Sequence, residues 1–237
     1  VMPYFGYARQ DRKAKARDPI SAKLCADIIT SAGADRVLTM DLHANQIQGF
    51  FNIPVDHLYG SPILANYMRE KIGGNFDEYI VVSPDLGSVT RSRNFASKIG
   101  TGLAIIDKRR PKPNMVEAQN VIGDVEGKIC IVVDDICDTA GTLCAGCQIL
   151  KDHGAKEVYV GITHGIFSRD AMQKIENSVI KELVISDTIA LSKEKAAQTD
   201  KVTVLSVADM LANTIDAIEN HTPVSNVYDD YKKEEAE

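Results

Sequence analysis

Ile129-Cys130-Ile131-Val132-Val133-Asp134-Asp135-Ile136-Cys137-Asp138-Thr139-Ala140-Gly141-Thr142 is the stretch that decides the fold. Its first five residues form a continuous, largely β-branched apolar run, which reads as a strand buried on both faces. The adjacent carboxylates Asp134 and Asp135 end that run, where the strand is expected to leave the sheet. The loop Asp138-Thr139-Ala140-Gly141-Thr142 is small, hydroxyl-bearing and contains a glycine. Leu143 to His153 is then good helix material, with Gly154 placed to cap it.

A strand, a small-residue loop and a helix amino terminus form a geometry that binds phosphate. The unpaired amides of the first helical turn point outward and carry the positive end of the helix dipole. Gly141 lets the backbone approach an anion, and Thr139 and Thr142 can donate hydroxyl hydrogen bonds. The acidic pair needs its own explanation, because carboxylates repel phosphate. They belong there if they grip sugar hydroxyls or hold magnesium between themselves and the ligand. A phosphorylated sugar satisfies both ends of the motif. A plain βα turn with an acidic cap is the simpler reading, but it needs neither the paired Asp nor two Thr flanking Gly141.

Working outward, Val1 to Tyr7 reads as a strand, followed by Arg9, Arg12, Lys13, Lys15 and Arg17. Pro19 opens a helix to about Ala32. Arg36 to Met40 is a strand leading into Asp41-Leu42-His43. A short helix at Gln46–Phe51, a strand at Val55–Leu58 and a helix from Ser61 to about Ile72 follow. Tyr79 to Val82 is a buried strand ending in Ser83-Pro84-Asp85-Leu86-Gly87-Ser88, and the next helix reaches about Ile99. Leu103 to Ile106 is a strand entering the basic loop Lys108 to Pro113. Further strands at Val158–Thr163, Glu182–Ile185 and Thr203–Leu205 precede a final helix from about Val207 to Glu219. Strands alternating with helices predict parallel βαβ units and a doubly wound sheet. In such sheets the ligand sits beyond the carboxyl ends of the strands, and Asp85, Lys108 and Asp134 all fall there.

Composition narrows the function classes. The chain has 237 residues, 44% hydrophobic and 25% charged, with a formal net charge of -6. That is enough for one large domain or two modest ones, and the charge disfavours nucleic acid as a general partner. No apolar run approaches the ~18 residues of a membrane span. Cys144 and Cys147 form a lone CxxC with no second pair and no His at zinc spacing. The five cysteines therefore read as small hydrophobes in a reducing cytosol rather than as metal or redox groups.

The Asp134–Thr142 stretch resembles the phosphoribosyl diphosphate loop shared by type I phosphoribosyltransferases and ribose-phosphate diphosphokinases. Three further motifs resemble the diphosphokinases specifically. Thr39-Met40-Asp41-Leu42-His43 through Phe51 is similar to the signature around their magnesium-binding His. Asp107-Lys108-Arg109-Arg110-Pro111-Lys112-Pro113 packs four cations and two prolines into seven residues and resembles their catalytic flexible loop. Asp85-Leu86-Gly87-Ser88 is similar to their Asp-x-Gly-Gly diphosphate loop, with Ser88 in place of the second Gly. If that position needs a positive φ, Ser bears strain; if it needs only a free amide, Ser is tolerated and can donate another hydrogen bond.

The resemblance implies two type I phosphoribosyltransferase-like parallel-sheet α/β domains, the first incomplete. Residues 1–59 would be the rear of the first domain, 60–219 the second, and 220–237 a tail with a disordered end. It implies ATP and ribose 5-phosphate as substrates and Mg2+ as cofactor. Lys108 and Arg110 would act catalytically, and Arg9, Gln10 and His43 would meet ATP. Asp134, Asp135, Asp138, Thr139, Ala140, Gly141 and Thr142 would hold ribose 5-phosphate; Asp85, Leu86, Gly87 and Ser88 would hold diphosphate; His43 and Asp85 would hold the metal. A cytoplasmic homo-oligomer, commonly a hexamer, is expected, with neither nucleic acid nor membrane as partner. The family's Phe-x-Asp-x-Glu segment has no match here, so the chain is expected to be an amino-terminally truncated member, weakly active or inactive by itself. The alternatives are a phosphoribosyltransferase acting on a nucleobase, or a non-catalytic associated or regulatory subunit.

Overall fold

The structure, a computed structural model, describes residues 1–109 and 118–231. The chain divides into two compact units. One comprises Val1–Gly60 with Met210–Val227; the other comprises Ser61–Asp209, joined by the chain from Tyr228. The final helix thus falls mostly with the first unit, whereas the reading of the sequence placed residues up to 219 in the second.

The first unit contains α1 (Ser21–Ser31) and a two-stranded parallel sheet of β1 (Val37–Met40) and β2 (Val55–Leu58). Phe5, Ala22, Ala26, Val37, Leu42 and Ile47 are buried together as its core. Val1–Tyr7 is not a strand, contrary to expectation. Met2 donates its N–H to Leu38 O at 2.8 Å and Pro3 O accepts from Met40 N–H at 3.1 Å, so the segment lies beside β1. Pro3 has no N–H to extend the ladder, and the chain turns where Ala8 N–H donates to Phe5 O. The helix begins at Ser21 rather than at Pro19.

The second unit holds seven strands in the order β5-β4-β3-β6-β7-β8-β9. These are β3 (Tyr79–Ser83), β4 (Gly102–Arg109), β5 (Ala118–Ile122), β6 (Ile129–Cys137), β7 (Glu157–Gly165), β8 (Ile180–Ser186) and β9 (Val202–Leu205). All neighbours are parallel except β5, which runs antiparallel to β4. The side chains of β6 alternate between two cores. Ile129, Ile131 and Val133 pack with Leu64 and Met68 of α2 (Ser61–Ile72) and with Phe95 and Ile99 of α3 (Val89–Ile99). Cys130 and Val132 pack with Cys147 and Leu150 of α4 (Gly141–Asp152) and with Met172 and Ile175 of α5 (Ala171–Glu176). Each such fully buried aliphatic side chain stabilises the fold by about 1.5–3 kcal/mol, which explains why the apolar run has no polar face. Two further helices, α6 (Lys193–Ala196) and α7 (Ala208–Glu219), complete the described α-helices.

The strand order positions the site. The chain leaves β3 through α3 towards β4, and leaves β6 through α4 towards β7, in opposite directions across the sheet. The gap between the carboxyl ends of β3 and β6 is therefore the topological switch point, where open α/β sheets bind ligands.

Candidate active site

Two loops flank the switch point. After β3, Ser83 donates its hydroxyl to Asp85 O at 2.7 Å, and Asp85 Oδ1 accepts the Ser88 N–H at 2.8 Å. These bonds fold Asp85–Ser88 into a tight turn against the head of α3. A Cβ on Gly87 would stand 3.3 Å from Asp85 Oδ1, and Leu86 is exposed. Ser88 has φ −91°, so this position needs no left-handed backbone and Ser88 carries no such strain. Its hydroxyl instead donates to Asp134 Oδ1 at 3.3 Å, joining the two loops.

The acidic pair does not mark the end of its strand. β6 pairs with β3 only as far as Val132, but with β7 through Asp134, Ile136 and Cys137. The strand keeps its partner on one side while β3 turns away on the other, and the carboxylates lie along the resulting crevice. Asp135 is almost wholly buried, and the Asp134 side chain is 26% exposed. Burial, and then the neighbouring Asp135 charge, push the Asp134 carboxyl up to about 7.

Beyond Cys137 the chain enters Asp138-Thr139-Ala140 and opens α4 at Gly141. The left-handed residue of this turn is Ala140, φ 58°, and no side chain caps the helix. The amides of the first turn are thus presented to the crevice. A Cβ on Gly141 would meet nothing within 4 Å, so this glycine leaves open space over the helix start. The turn is braced from behind by the segment after β7. Ile166 and Phe167 both donate N–H to Cys137 O, at 2.9 and 3.2 Å, and Ser168 N–H donates to Asp138 O at 2.9 Å.

Lys108 lies near the end of β4, beside β3, so the bases of all three candidate loops in this unit stand on neighbouring parallel strands. β4 extends through Arg109, further than the sequence predicted, because β5 pairs with it, with Lys108 in backbone register with Gln119. Arg110 to Pro113 lie outside the described residues.

Arg9, Gln10 and His43 belong to the first unit, and all three are exposed. Gln10 O accepts the Ala22 N–H of α1, and Gln46 donates to Asp11 Oδ2 at 3.0 Å, which anchors the start of the basic segment. The turn presenting His43 is fixed by two side chains: buried Asp41 accepts the Gly60 N–H on Oδ2 at 2.9 Å, and half-buried His57 accepts the Leu42 N–H on Nε2 at 2.9 Å.

One side chain escaped the sequence reading. Arg91, in the first turn of α3, places Nη1 3.2 Å from Asp134 Oδ1 and 3.0 Å from Asp135 Oδ1. The signal that could have found it was position: a cation at the head of the helix opposite a paired acid. Among the cysteines, Cys130, Cys137 and Cys147 are core residues. Burial pushes the Cys130 and Cys137 thiols up to about 12, which keeps them protonated and unreactive. Among the described residues no group of three or more His, Cys, Asp or Glu side chains could hold a metal, and no helix is long and apolar enough to cross a membrane. Magnesium keeps most of its waters and needs few protein ligands. Asp85, with one carboxylate oxygen beyond its Ser88 contact, is suited to such a cation.

An acidic pair in the carboxyl-terminal half of a strand and a small-residue helix start, at the switch point of a parallel sheet, define the type I phosphoribosyltransferase-like class. The profile described as the N-terminal domain of ribose phosphate pyrophosphokinase matches residues 1–33, and the phosphoribosyl synthetase-associated domain matches residues 107–229. A ribose-phosphate pyrophosphokinase from Clostridium perfringens is 58% identical over 97% of this chain and 72% of its own length. One from Caldanaerobacter subterraneus subsp. tengcongensis is 59% identical over 96% and 71%. The crystal structure of phosphoribosylpyrophosphate synthetase from Mycobacterium smegmatis superposes with a TM-score of 0.85 at 40% identity, over 92% of this chain and 70% of that one. This chain belongs to the ribose-phosphate pyrophosphokinase family.

Proposed function

We infer that the protein transfers the β,γ-diphosphoryl group of ATP to the 1-hydroxyl of ribose 5-phosphate, yielding phosphoribosyl diphosphate and AMP. The observation that carries this reading is the β3–β6 switch point, where a diphosphate-type turn and a sugar-phosphate loop are joined by the Ser88–Asp134 hydrogen bond. A nucleobase phosphoribosyltransferase would account for the second loop but not for the Arg9-Gln10 segment, the His43 signature or the Lys108–Pro113 loop.

In this reading the amides of Gly141 and Thr142, with the hydroxyls of Thr139 and Thr142, cradle the 5-phosphate alongside Asp138 and Ala140. Asp134 and Asp135 accept hydrogen bonds from ribose hydroxyls, which aims the 1-hydroxyl at the β-phosphorus. The Asp85–Ser88 turn backs the diphosphate through its backbone amides. Arg9 and Gln10 hold ATP, and Lys108 and Arg110 neutralise charge on the transferring and leaving phosphates. The 1-hydroxyl oxygen bonds to the β-phosphorus as the bond from that phosphorus to the α-phosphate oxygen breaks, and the hydroxyl proton passes to solvent water. AMP carries away the electron pair. Positioning and charge stabilisation carry the step in this reading, and no residue is assigned as a covalent nucleophile. Magnesium would offset triphosphate charge, and His43 in the first unit and Asp85 in the second are each proposed as residues that would hold it. A cytoplasmic homo-oligomer, acting on these small molecules rather than on nucleic acid or membrane, completes the proposal.

Incubating the protein with ATP, ribose 5-phosphate and magnesium, and following products by phosphorus NMR, tests it. Slow AMP formation that requires both substrates is expected. Consumption of phosphoribosyl diphosphate with a nucleobase, with no AMP formed from ATP, would overturn it in favour of a phosphoribosyltransferase.

A further inference from the structure

Asp134 Oδ1 receives three donors: the Ser88 hydroxyl at 3.3 Å, the Asp135 N–H at 2.9 Å and Arg91 Nη1 at 3.2 Å. The same guanidinium nitrogen lies 3.0 Å from Asp135 Oδ1, whose side chain is only 4% exposed. Two neighbouring carboxylates, one of them buried, repel each other and resist losing both protons. A guanidinium seated between them offsets that repulsion and fixes both side chains at once, because its donors are rigidly arrayed. Arg91 is itself 25% exposed and stands in the first turn of α3, immediately after the diphosphate turn. These three donors gather on Oδ1, and Oδ2 is the oxygen assigned to the sugar.

We propose that Arg91 is a positioning residue for ribose 5-phosphate, clamping Asp134 and Asp135 into the charged, hydroxyl-accepting arrangement that the sugar requires. The proposal rests on the assignment of the acidic pair to the ribose hydroxyls. Arg91 acts through the carboxylates and not on the phosphate, so its removal should discriminate between the two halves of the ligand.

The groups facing Asp134 define the expected pH behaviour. They are Asp135 and Cys137 on its own strand, Arg91 from α3, the neutral Ser88 with Asp85 behind it, and apolar Ile162 opposite on β7. Among the described residues in this set Arg91 is the one cation, so without it the pair must ionise at higher pH.

The test is calorimetric titration of the whole chain with ribose 5-phosphate between pH 6 and 9, for wild type, Arg91→Met and Arg91→Lys. Inorganic phosphate is the second probe and thermal unfolding the check of folding. Arg91→Met is expected to weaken ribose 5-phosphate at least tenfold, to move the onset of its binding to higher pH, and to leave inorganic phosphate unchanged. Arg91→Lys should recover part of the loss. If Arg91→Met binds the sugar phosphate as well as or better than wild type, or loses both probes equally, or is not rescued by Lys, Arg91 is not a positioning residue. Failure of wild type to bind ribose 5-phosphate would instead remove the site assignment itself, and this proposal with it.

Discussion

Gly141 and Asp134 show how single residues tune the site in opposite ways. Gly141 has no positive φ and faces open space, so Gly141→Ala should leave the fold intact or stabilise it by up to about 1 kcal/mol, as alanine does in helices. The added methyl would occupy the space proposed for the 5-phosphate, so ribose 5-phosphate affinity should fall at least tenfold. Unchanged affinity would place the phosphate elsewhere. Asp134, pushed up to about 7, holds a proton that the unfolded chain has already released between pH 4 and 7. More protons bound in the native state means that stability contributed by this group declines as pH rises through that window. The charged form is the better acceptor, so ribose 5-phosphate affinity should rise over the same range. Asp134→Asn should flatten the dependence of Tm on pH between 5 and 8 and abolish the rise in affinity; a Tm profile identical to wild type would contradict the raised pKa. At this scale the sequence was informative wherever residue type implied chemistry, as in the paired Asp and the small loop. It was silent where contact decides: Arg91 lies in no recognised motif, and the two conditional readings of Ser88 were separated only by its φ and its hydroxyl partner.

Among the elements, β6 carries the site because it is held on both faces and loses only one neighbour at its end. Ile131, fully buried between the helices and the sheet, is predicted to cost about 2–5 kcal/mol when truncated to Ala, measurable by denaturant unfolding. Gly165, the last residue of β7, has a different sensitivity. A Cβ there would stand 2.6 Å from Phe167 Cε2, and Phe167 is buried with φ 51°. Gly165→Ala should therefore displace Phe167, strain its bond to Cys137 O and loosen the phosphate turn. The expected result is ~1–3 kcal/mol of lost stability together with weaker ribose 5-phosphate binding; loss of stability with unaltered binding would show that this brace does not position the turn. The sequence delimited β2 and α2 correctly: Val55–Leu58 is the expected short strand, and Ser61-Pro62 starts the helix. It stopped β6 too early because two carboxylates look like a strand end, although pairing with β7 continues through Cys137. It missed β5, whose residues Ala118–Ile122 form a strand by pairing antiparallel with β4. It also left α5 undelimited, as six residues carry too little period to read.

For the molecule as a whole, a net charge of -6 must admit two anionic substrates, so local cations have to outweigh the general field. The proposed ribose 5-phosphate contacts all come from the second unit, and Arg9 comes from the first. Arg9→Ala should accordingly weaken ATP binding several-fold while leaving the affinity for ribose 5-phosphate within twofold of wild type, by calorimetry with each ligand separately. An equal loss for both would contradict this division of labour. The doubly wound sheet and the placement of its loops were legible because alternating strands and helices permit few topologies. The division into units was less so, since Met210–Val227 groups with residues far away in sequence and no composition shift marks the change.

The most direct measurement is a crystal structure of the protein with ribose 5-phosphate bound. The 5-phosphate is predicted to accept hydrogen bonds from the amides of Gly141 and Thr142, with the ribose hydroxyls on Asp134 and Asp135 and the 1-hydroxyl facing the Asp85–Ser88 turn. A sugar phosphate bound elsewhere, with the β3–β6 switch point empty, would contradict the account.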